Sequence, residues 1–345
     1  MKMFVISHSY IGDGQSQMLL AAATHWVKQL GWTVDAVSAP NMTAEAHQAV
    51  ANSGMVEIER AHFNEKYDIA LINCLRNIQF VNFIYPHVPI VLWAHEAETI
   101  LKTPVPREKW EEWFSKIALV IFQTEAQARL YRKYIPESDR GKIAIVPNGI
   151  PPLPARAASN APRDGAFRIV NLGKLTPMKG QAELIRAAVR LSQKHKLTCT
   201  LIGDLEYLAE LDRKALDALD SHPQLFSLPG YLPRQKALET VAGADLFCFP
   251  SISESFGLAP LEAAMLGVPV VLADIEVYKS VGWVYGENCL TFKAGDAKKL
   301  EAVLDRLIGD AALRATIAAN GKALAARYQM GPFLKNISEK LQSAV

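Results

Sequence analysis

Along this chain short β-rich runs alternate with helix-patterned segments, and the alternation halts once before starting afresh. Ahead of the halt stand "MFVIS", "TVDAVS", "DIALINC", "IVLWAH", "LVIFQT" and "IAIVP", interleaved with patterns such as "QMLLAAATHWVKQLG". Behind it stand "FRIVNLG", "LTCTLIG", "LFSLPG", "ADLFCFPS" and "VPVVLAD". Strands that alternate with helices predict parallel sheets, so both series read as α/β, doubly wound, Rossmann-like folds. The halt is residues 147–162, "PNGIPPLPARAASNAP", which hold five of the 19 prolines. That composition reads as a connection between domains. The predicted organisation is a first domain over 1–150, a Pro-rich linker over 151–165, a second domain over 166–327 and a C-terminal helix over 328–345 expected to pack back on the first domain. The 345 residues, half of them hydrophobic, suffice for two cores.

Several classes of function drop out. The formal charge of +2 is spread thinly, and no basic stripe argues for nucleic acid. Cys74, Cys199, Cys248 and Cys289 are 125, 49 and 41 residues apart, without the close pairs that build zinc or dithiol sites, so the thiols read as reduced. The N-terminal apolar run breaks at "SHSY", too short for a signal-peptide core, and no apolar stretch is long enough to cross a bilayer. The expected setting is the cytosol, with at most peripheral contact at the inner face of a membrane.

Open parallel sheets bind ligands beyond the carboxyl ends of their strands, so two such domains are expected to enclose a cleft and to place their motifs just after strands. The segment "SISESFGLAPLEAAMLGVPVVLAD", residues 251–274, does follow a strand-like run. Its helix is predicted to begin near Leu258, with Leu258, Leu261 and Met265 as the apolar stripe. Glu262 sits at the edge of that stripe and needs hydrogen-bond donors if buried. Glu254 lies in the preceding loop, beside amides near Phe256, Gly257 and Leu258 that open toward an anion. The competing reading is that both glutamates make structural salt bridges.

This segment resembles the signature of retaining glycosyltransferases of the GT-B fold, in particular the large family 4, whose hallmark is Glu, seven residues, Glu. "PS", "ESFGL", "LEAA" and "G-PVV" stand in the family's order. The resemblance covers the second domain. It implies that Glu254 contacts the transferred sugar, that Ser255, Phe256, Gly257 and Leu258 form the donor loop, and that Glu262 holds the ribose hydroxyls of the nucleotide.

In "NLGKLTPMKGQAELI" a strand ends near Leu172, and Lys174 and Lys179 follow before a helix. Two cations there could clamp a diphosphate. Lys179 and Gly180 match the family pattern, whereas Lys174 stands where arginine is usual and lacks its bidentate fork. A solvated surface pair is the alternative. In "SYIGDGQSQMLL", Gly12 and Gly14 precede a helix without forming a GxGxxG fingerprint; the resemblance assigns Gly14 to the donor phosphates. His95, in "VLWAHEAE", ends another strand-like run and is carried over as a residue near the donor sugar, against a structural histidine. His8 is a second candidate of that kind. Gly230, Tyr231 and Leu232 in "LPGYLPRQKALE" resemble the segment that passes the nucleotide base, against Tyr231 as a plain core or rim aromatic. "PNGI" is read as structural. Trp110, Trp113, Phe114 and Ile117 fall at helical spacing and read as core, against a membrane or acceptor surface.

The activity this implies is glycosyl transfer from a nucleotide-diphosphate sugar to a carbohydrate or glycolipid hydroxyl, with retention and without a metal or other cofactor. The resemblance implies that the leaving phosphate helps to deprotonate the acceptor, so no protein nucleophile is assigned. Two other readings stay open: an epimerase or phosphorylase on the same fold, and a catalytically silent sugar-nucleotide-binding scaffold.

Overall fold

Runs such as Ile69–Ile72 and Ile90–Trp93, apolar at every position, are buried on both faces, as a parallel sheet covered by helices requires. The computed structural model describes residues 1–37, 42–59, 66–97, 106–153 and 165–345. These fall into two units, Met1–Pro151 with Tyr328–Val345, and Pro152–Arg327. Most of the predicted linker, residues 154–164, lies outside the described residues.

The first unit holds β1 (Lys2–Ile6), β2 (Thr33–Val37), β3 (Val56–Ile58), β4 (Ile69–Ile72), β5 (Ile90–Trp93), β6 (Leu119–Phe122) and β7 (Ile143–Ile145). They form one sheet in the order β3-β2-β1-β4-β5-β6-β7. The second unit holds β8 (Phe167–Leu172), β9 (Leu197–Ile202), β10 (Phe226–Gly230), β11 (Leu246–Phe249), β12 (Val270–Ala273) and β13 (Leu290–Phe292). Their order is β10-β9-β8-β11-β12-β13. All pairings are parallel. In each sheet the chain works outward from a central strand and then reverses, between β1 and β4 and between β8 and β11. Such reversals open a crevice at the strands' carboxyl ends.

The expected strands are all present. β3 and β13 were not expected, because "VEI" and "LTF" are each interrupted by a polar residue and carry too little apolar pattern. In the helix Gln181–Leu191 the stripe Leu184, Ala187, Ala188 and Leu191 is fully buried against the second sheet's core. Trp110, Trp113, Phe114 and Ile117 are likewise core in the first unit and present no surface for a membrane or an acceptor.

The helix Met330–Gln342 belongs to the first unit. Phe333 packs on Trp93 at 5.9 Å between ring centroids, and Trp26 Nε1 donates to Ser338 Oγ at 3.0 Å. "PNGI" prepares this seat. A Cβ on Gly149 would lie 2.7 Å from Met330 Cα, and the Ile150 N–H donates to the Tyr328 carbonyl at 2.7 Å.

Candidate active site

In the second unit the loops after β8 and β11 flank the reversal of strand order and are fastened to each other. The Ile252 N–H and the Ser251 hydroxyl both donate to the Met178 carbonyl, at 3.0 and 3.3 Å. Gly180 adopts a left-handed φ of +68°, and a Cβ there would stand 2.2 Å from the Pro250 carbonyl oxygen. Only glycine lets the two loops come this close. Beneath them Gln181 donates to Asn171 Oδ1 and to the Lys174 carbonyl, while Asn171 donates to the Cys248 carbonyl. This buried polar chain ties the start of the Gln181–Leu191 helix to the ends of both central strands.

That frame brings Lys179 to Glu254, with Nζ to Oε1 at 2.5 Å and the carboxylate side chain 11% exposed. The lysine also lies 5.5 Å over the Phe249 ring. Lys174 is exposed and joins neither carboxylate. The two lysines thus differ: one is held by an acid, the other is solvated.

Gly257 caps the helix Leu258–Met265 at φ +83°, and a Cβ on it would meet Tyr278 Cε1 at 2.8 Å. The helix has no side-chain cap and no acid in its first turn. The amides of Gly257, Leu258 and Ala259 therefore lack intrahelical acceptors, while Pro260 has no N–H to offer. Phe256 is buried under this turn and Ser255 is half-buried. The Tyr278 hydroxyl is buried without a hydrogen-bond partner among the described residues. Burial first, then the charge of Glu254, raises its pKa well above the ordinary range. The loop is thus a cation-bearing, amide-lined turn of the type that receives phosphate oxygens.

Glu262 is 6% exposed and bonded through Oε1 to Arg234 Nη2 at 2.5 Å. Burial raises its pKa, and Arg234 opposes that shift. Arg234 opens the helix Arg234–Ala242 and also donates to the Pro152 carbonyl at 2.9 Å. Sequence reasoning overlooked Arg234; its one local sign is a cation directly after the "GYLP" segment. Both glutamates make the salt bridges of the plainer reading, and both do so at the donor-loop end of the sheet. Gly230 ends β10 at φ +73°. Tyr231 is 63% exposed, which removes the core alternative and leaves the rim reading beside the base-lining one. What the structure presents is an open aromatic face.

Gly14 and His95 stand in the first unit. Gly12, not Gly14, has the left-handed φ, at +88°. Gly14 opens the helix Gly14–Lys28, and a Cβ on it would meet nothing within 4 Å, so packing does not dictate glycine there. His8 contacts Gln15 Nε2 and lies 3.9 Å from Asp13, the cap of that helix. His95 is buried, its ring 4.5 Å from that of Trp93. Its Nε2 bonds Asn73 Oδ1 at 3.0 Å, and Asn73 Nδ2 donates to Ser7 Oγ at 3.2 Å. Burial, with His8 adding to it, lowers the His95 pKa to about 3. The imidazole is neutral, Nε2 carries the hydrogen, and Nδ1 faces no partner among the described residues. Glu96 accepts from the Leu75, Arg76 and His95 amides, and burial raises its pKa. Neither Asn73 nor Glu96 was singled out from the sequence.

A separate concavity of about 1100 Å³ opens beside β13, lined by Tyr278, Trp283, Tyr285, Lys293, Lys299 and Arg306 among others. It shares Tyr278 with the donor loop and contains none of the predicted site residues. Among the described residues no cluster of His, Cys, Asp or Glu could hold a metal ion.

Residues 155–324 match the family described as glycosyl transferases group 1. The alpha-galactosylglucosyldiacylglycerol synthase of Streptococcus pneumoniae is 28% identical over 51% of this chain and 48% of its own length. A D-inositol 3-phosphate glycosyltransferase of Stackebrandtia nassauensis is 28% identical over 70% of this chain and 60% of its own. The chain thus spans about half the length of the first of these relatives. Among solved structures, Anabaena HepE in complex with UDP and glucose superposes with a TM-score of 0.82 at 18% identity, over 99% of this chain and 100% of that one. Sucrose-phosphate synthase from Thermosynechococcus elongatus superposes with a TM-score of 0.76 at 17% identity, over 99% and 98%. The fold is that of the GT-B glycosyltransferases.

Proposed function

We propose that this chain is a retaining, family 4 glycosyltransferase that moves a sugar from a nucleotide-diphosphate donor to an acceptor hydroxyl, in the synthesis of a cell-surface polysaccharide or glycolipid. The observation that carries the reading is the fastened loop pair at the strand-order reversal of the second sheet. There an acid, a cation and a row of unsatisfied helix amides meet within one turn. A free anion site alone would suit any phosphate ligand, whereas the added buried carboxylate of Glu262 suits a ligand that also brings hydroxyl donors. A nucleotide sugar brings both.

In this reading the amides of Gly257, Leu258 and Ala259 receive the diphosphate, with Lys179 and the exposed Lys174 completing its charge balance. Glu254 holds Lys179 and faces the sugar, Glu262 takes the ribose hydroxyls, and the open ring of Tyr231 takes the base, beside Gly230. The anomeric carbon–oxygen bond to the diphosphate breaks as the bond to the acceptor oxygen forms. The acceptor proton passes to the departing phosphate oxygen, so no protein nucleophile is needed. Charge grows on the diphosphate as the bond breaks, and donors already fixed in place stabilise that growth without reorganising. The first unit is assigned the acceptor, with Gly14 toward the donor phosphates and the acceptor and the neutral His95 toward the transferred sugar; a neutral imidazole with an open Nδ1 can accept from a sugar hydroxyl. The setting is the cytosol or the inner face of a membrane, and no metal is required.

The test is turnover of UDP-, GDP- and ADP-sugars by the purified protein with a panel of glycolipid and saccharide acceptors, with and without chelator. The expected result is release of one nucleoside diphosphate, insensitive to chelator, with the donor's anomeric configuration kept in the product. Lys179→Ala should lower transfer about a hundredfold or more while leaving the melting temperature nearly unchanged. Donor binding without consumption of any acceptor would favour the silent scaffold.

A further inference from the structure

The Arg234–Glu262 pair is one-sided. Of the two Glu262 oxygens Arg234 Nη2 meets Oε1, while Nη1 turns to the Pro152 carbonyl. A purely structural arginine–carboxylate pair gains most from two parallel bonds to both oxygens. Here Oε2 of a carboxylate that is almost wholly buried has no hydrogen-bond partner among the described residues. Leaving a lone pair of such a group unmet is costly unless a ligand supplies the donor. Arg234 is also oddly placed for a stabilising cation, because it is the first residue of its helix, where the dipole disfavours positive charge. Its position makes sense through Glu262.

We infer that Arg234 is a positioning residue for nucleotide recognition: its guanidinium fixes Glu262 through Oε1 and presents Oε2 to the ribose hydroxyls. The inference rests on the reading of Glu262 as the ribose carboxylate and adds to it the group that makes the carboxylate fit for that task. Two consequences follow from the geometry. Arg234 opposes the rise in pKa that burial imposes on Glu262, and so favours its ionised form. It also ties the carboxylate to the backbone at Pro152, so the acceptor oxygen is aimed before any ligand arrives.

Arg234 is the charged group that acts on Glu262. The helix Leu258–Met265 carries no other ionisable side chain, and β11 and β12 bring only the buried thiol of Cys248. Lys236 and Glu239, on the Arg234 helix, are exposed. The helix Ala311–Ala325, packed behind, turns Lys322 to solvent and spends Arg314 on the Leu307 and Ile308 carbonyls. Removing Arg234 therefore leaves nothing to offset burial, and the carboxyl should stay protonated to higher pH.

The experiment compares UDP, GDP and ADP with their 2′,3′-dideoxy counterparts by calorimetry, from about pH 6 to about pH 8.5, so that protonation of the diphosphate itself cancels in each ratio. Wild type should prefer one ribose diphosphate over its dideoxy form by about tenfold or more, evenly across that range. In Arg234→Met the preference should collapse at the acid end and return as pH rises and Glu262 ionises. Arg234→Lys restores the charge without the fork, so its preference should be weaker than wild type yet even with pH; this variant serves also if Arg234→Met does not fold. A wild-type preference that survives unchanged and flat in Arg234→Met, or that becomes pH-dependent in Arg234→Lys as well, overturns the role of Arg234 while leaving Glu262 intact. Wild type that does not distinguish ribose from dideoxyribose overturns the reading of Glu262, and this inference with it.

Discussion

A methyl group at Gly257 would be pressed 2.8 Å from the Tyr278 ring at a φ of +83°, so Gly257→Ala should cost about 1–3 kcal/mol in urea unfolding and weaken diphosphate binding as the turn shifts. Gly180→Ala drives its Cβ into the Pro250 carbonyl, where no flexible side chain can yield, and should part the two loops more severely. His95 supplies a test in pH. Its folded pKa of about 3 lies below the ordinary 6.5, so the unfolded chain takes up the proton first. The stability this residue contributes is complete above about pH 6.5 and is lost as pH falls toward 3, at up to about 1.4 kcal/mol per pH unit. His95→Gln should flatten the acid limb of the stability profile by about that slope, read by urea unfolding at a series of pH values. Single residues were legible where a local pattern surrounded them. Glu262 could be placed at the rim of a buried stripe because Leu258, Leu261 and Met265 set the helical period. Arg234 could not, because its partner is 28 residues away and an arginine in a polar segment looks like any solvated cation. Tyr231 could be assigned to the loop, but its exposure depends on which neighbours the fold brings up.

Elements followed the apolar pattern closely wherever it ran for four residues or more. β7 spans only three residues but lies in the continuous apolar run "IAIVP", whereas β3 and β13, "VEI" and "LTF", are each interrupted by a polar residue and show no such run. The C-terminal helix shows the same division. Phe333, Ile337 and Leu341 recur at helical spacing and are buried, which the sequence displays; its address comes from contacts such as Trp26 with Ser338, 312 residues apart, which the sequence does not. Phe333→Ala should cost about 3–5 kcal/mol, felt in the first unit, since it removes a buried ring stacked near Trp93. The check is urea unfolding followed by tryptophan fluorescence. An unfolding midpoint like that of wild type would mean that the helix contributes little to that unit.

At the scale of the whole molecule, the same strand order appears twice, working outward from a central strand and then reversing. The alternation predicts two parallel sheets but not the order of the strands within each, because several crossover topologies fit the same alternation. Nor does it say which of the two reversals carries the denser set of ligand groups; the motif resemblance of residues 251–274 points to the second. The second sheet gathers an anion-receiving helix end, a lysine–glutamate pair and a buried carboxylate around its reversal, whereas the first builds a buried Ser7–Asn73–His95 chain with little net charge. The account therefore stands or falls on whether the second sheet binds a nucleoside diphosphate. The most direct measurement is the melting temperature of the purified protein with UDP, GDP, ADP and CMP, each with and without magnesium, in wild type and in Glu262→Ala. A ligand held by the native state alone raises the melt, at saturation by the equivalent of about 3 kcal/mol for a hundredfold excess over its dissociation constant. The account predicts a rise with one diphosphate, independent of magnesium and much reduced in Glu262→Ala. No rise with any of them, or an equal rise in Glu262→Ala, would contradict it.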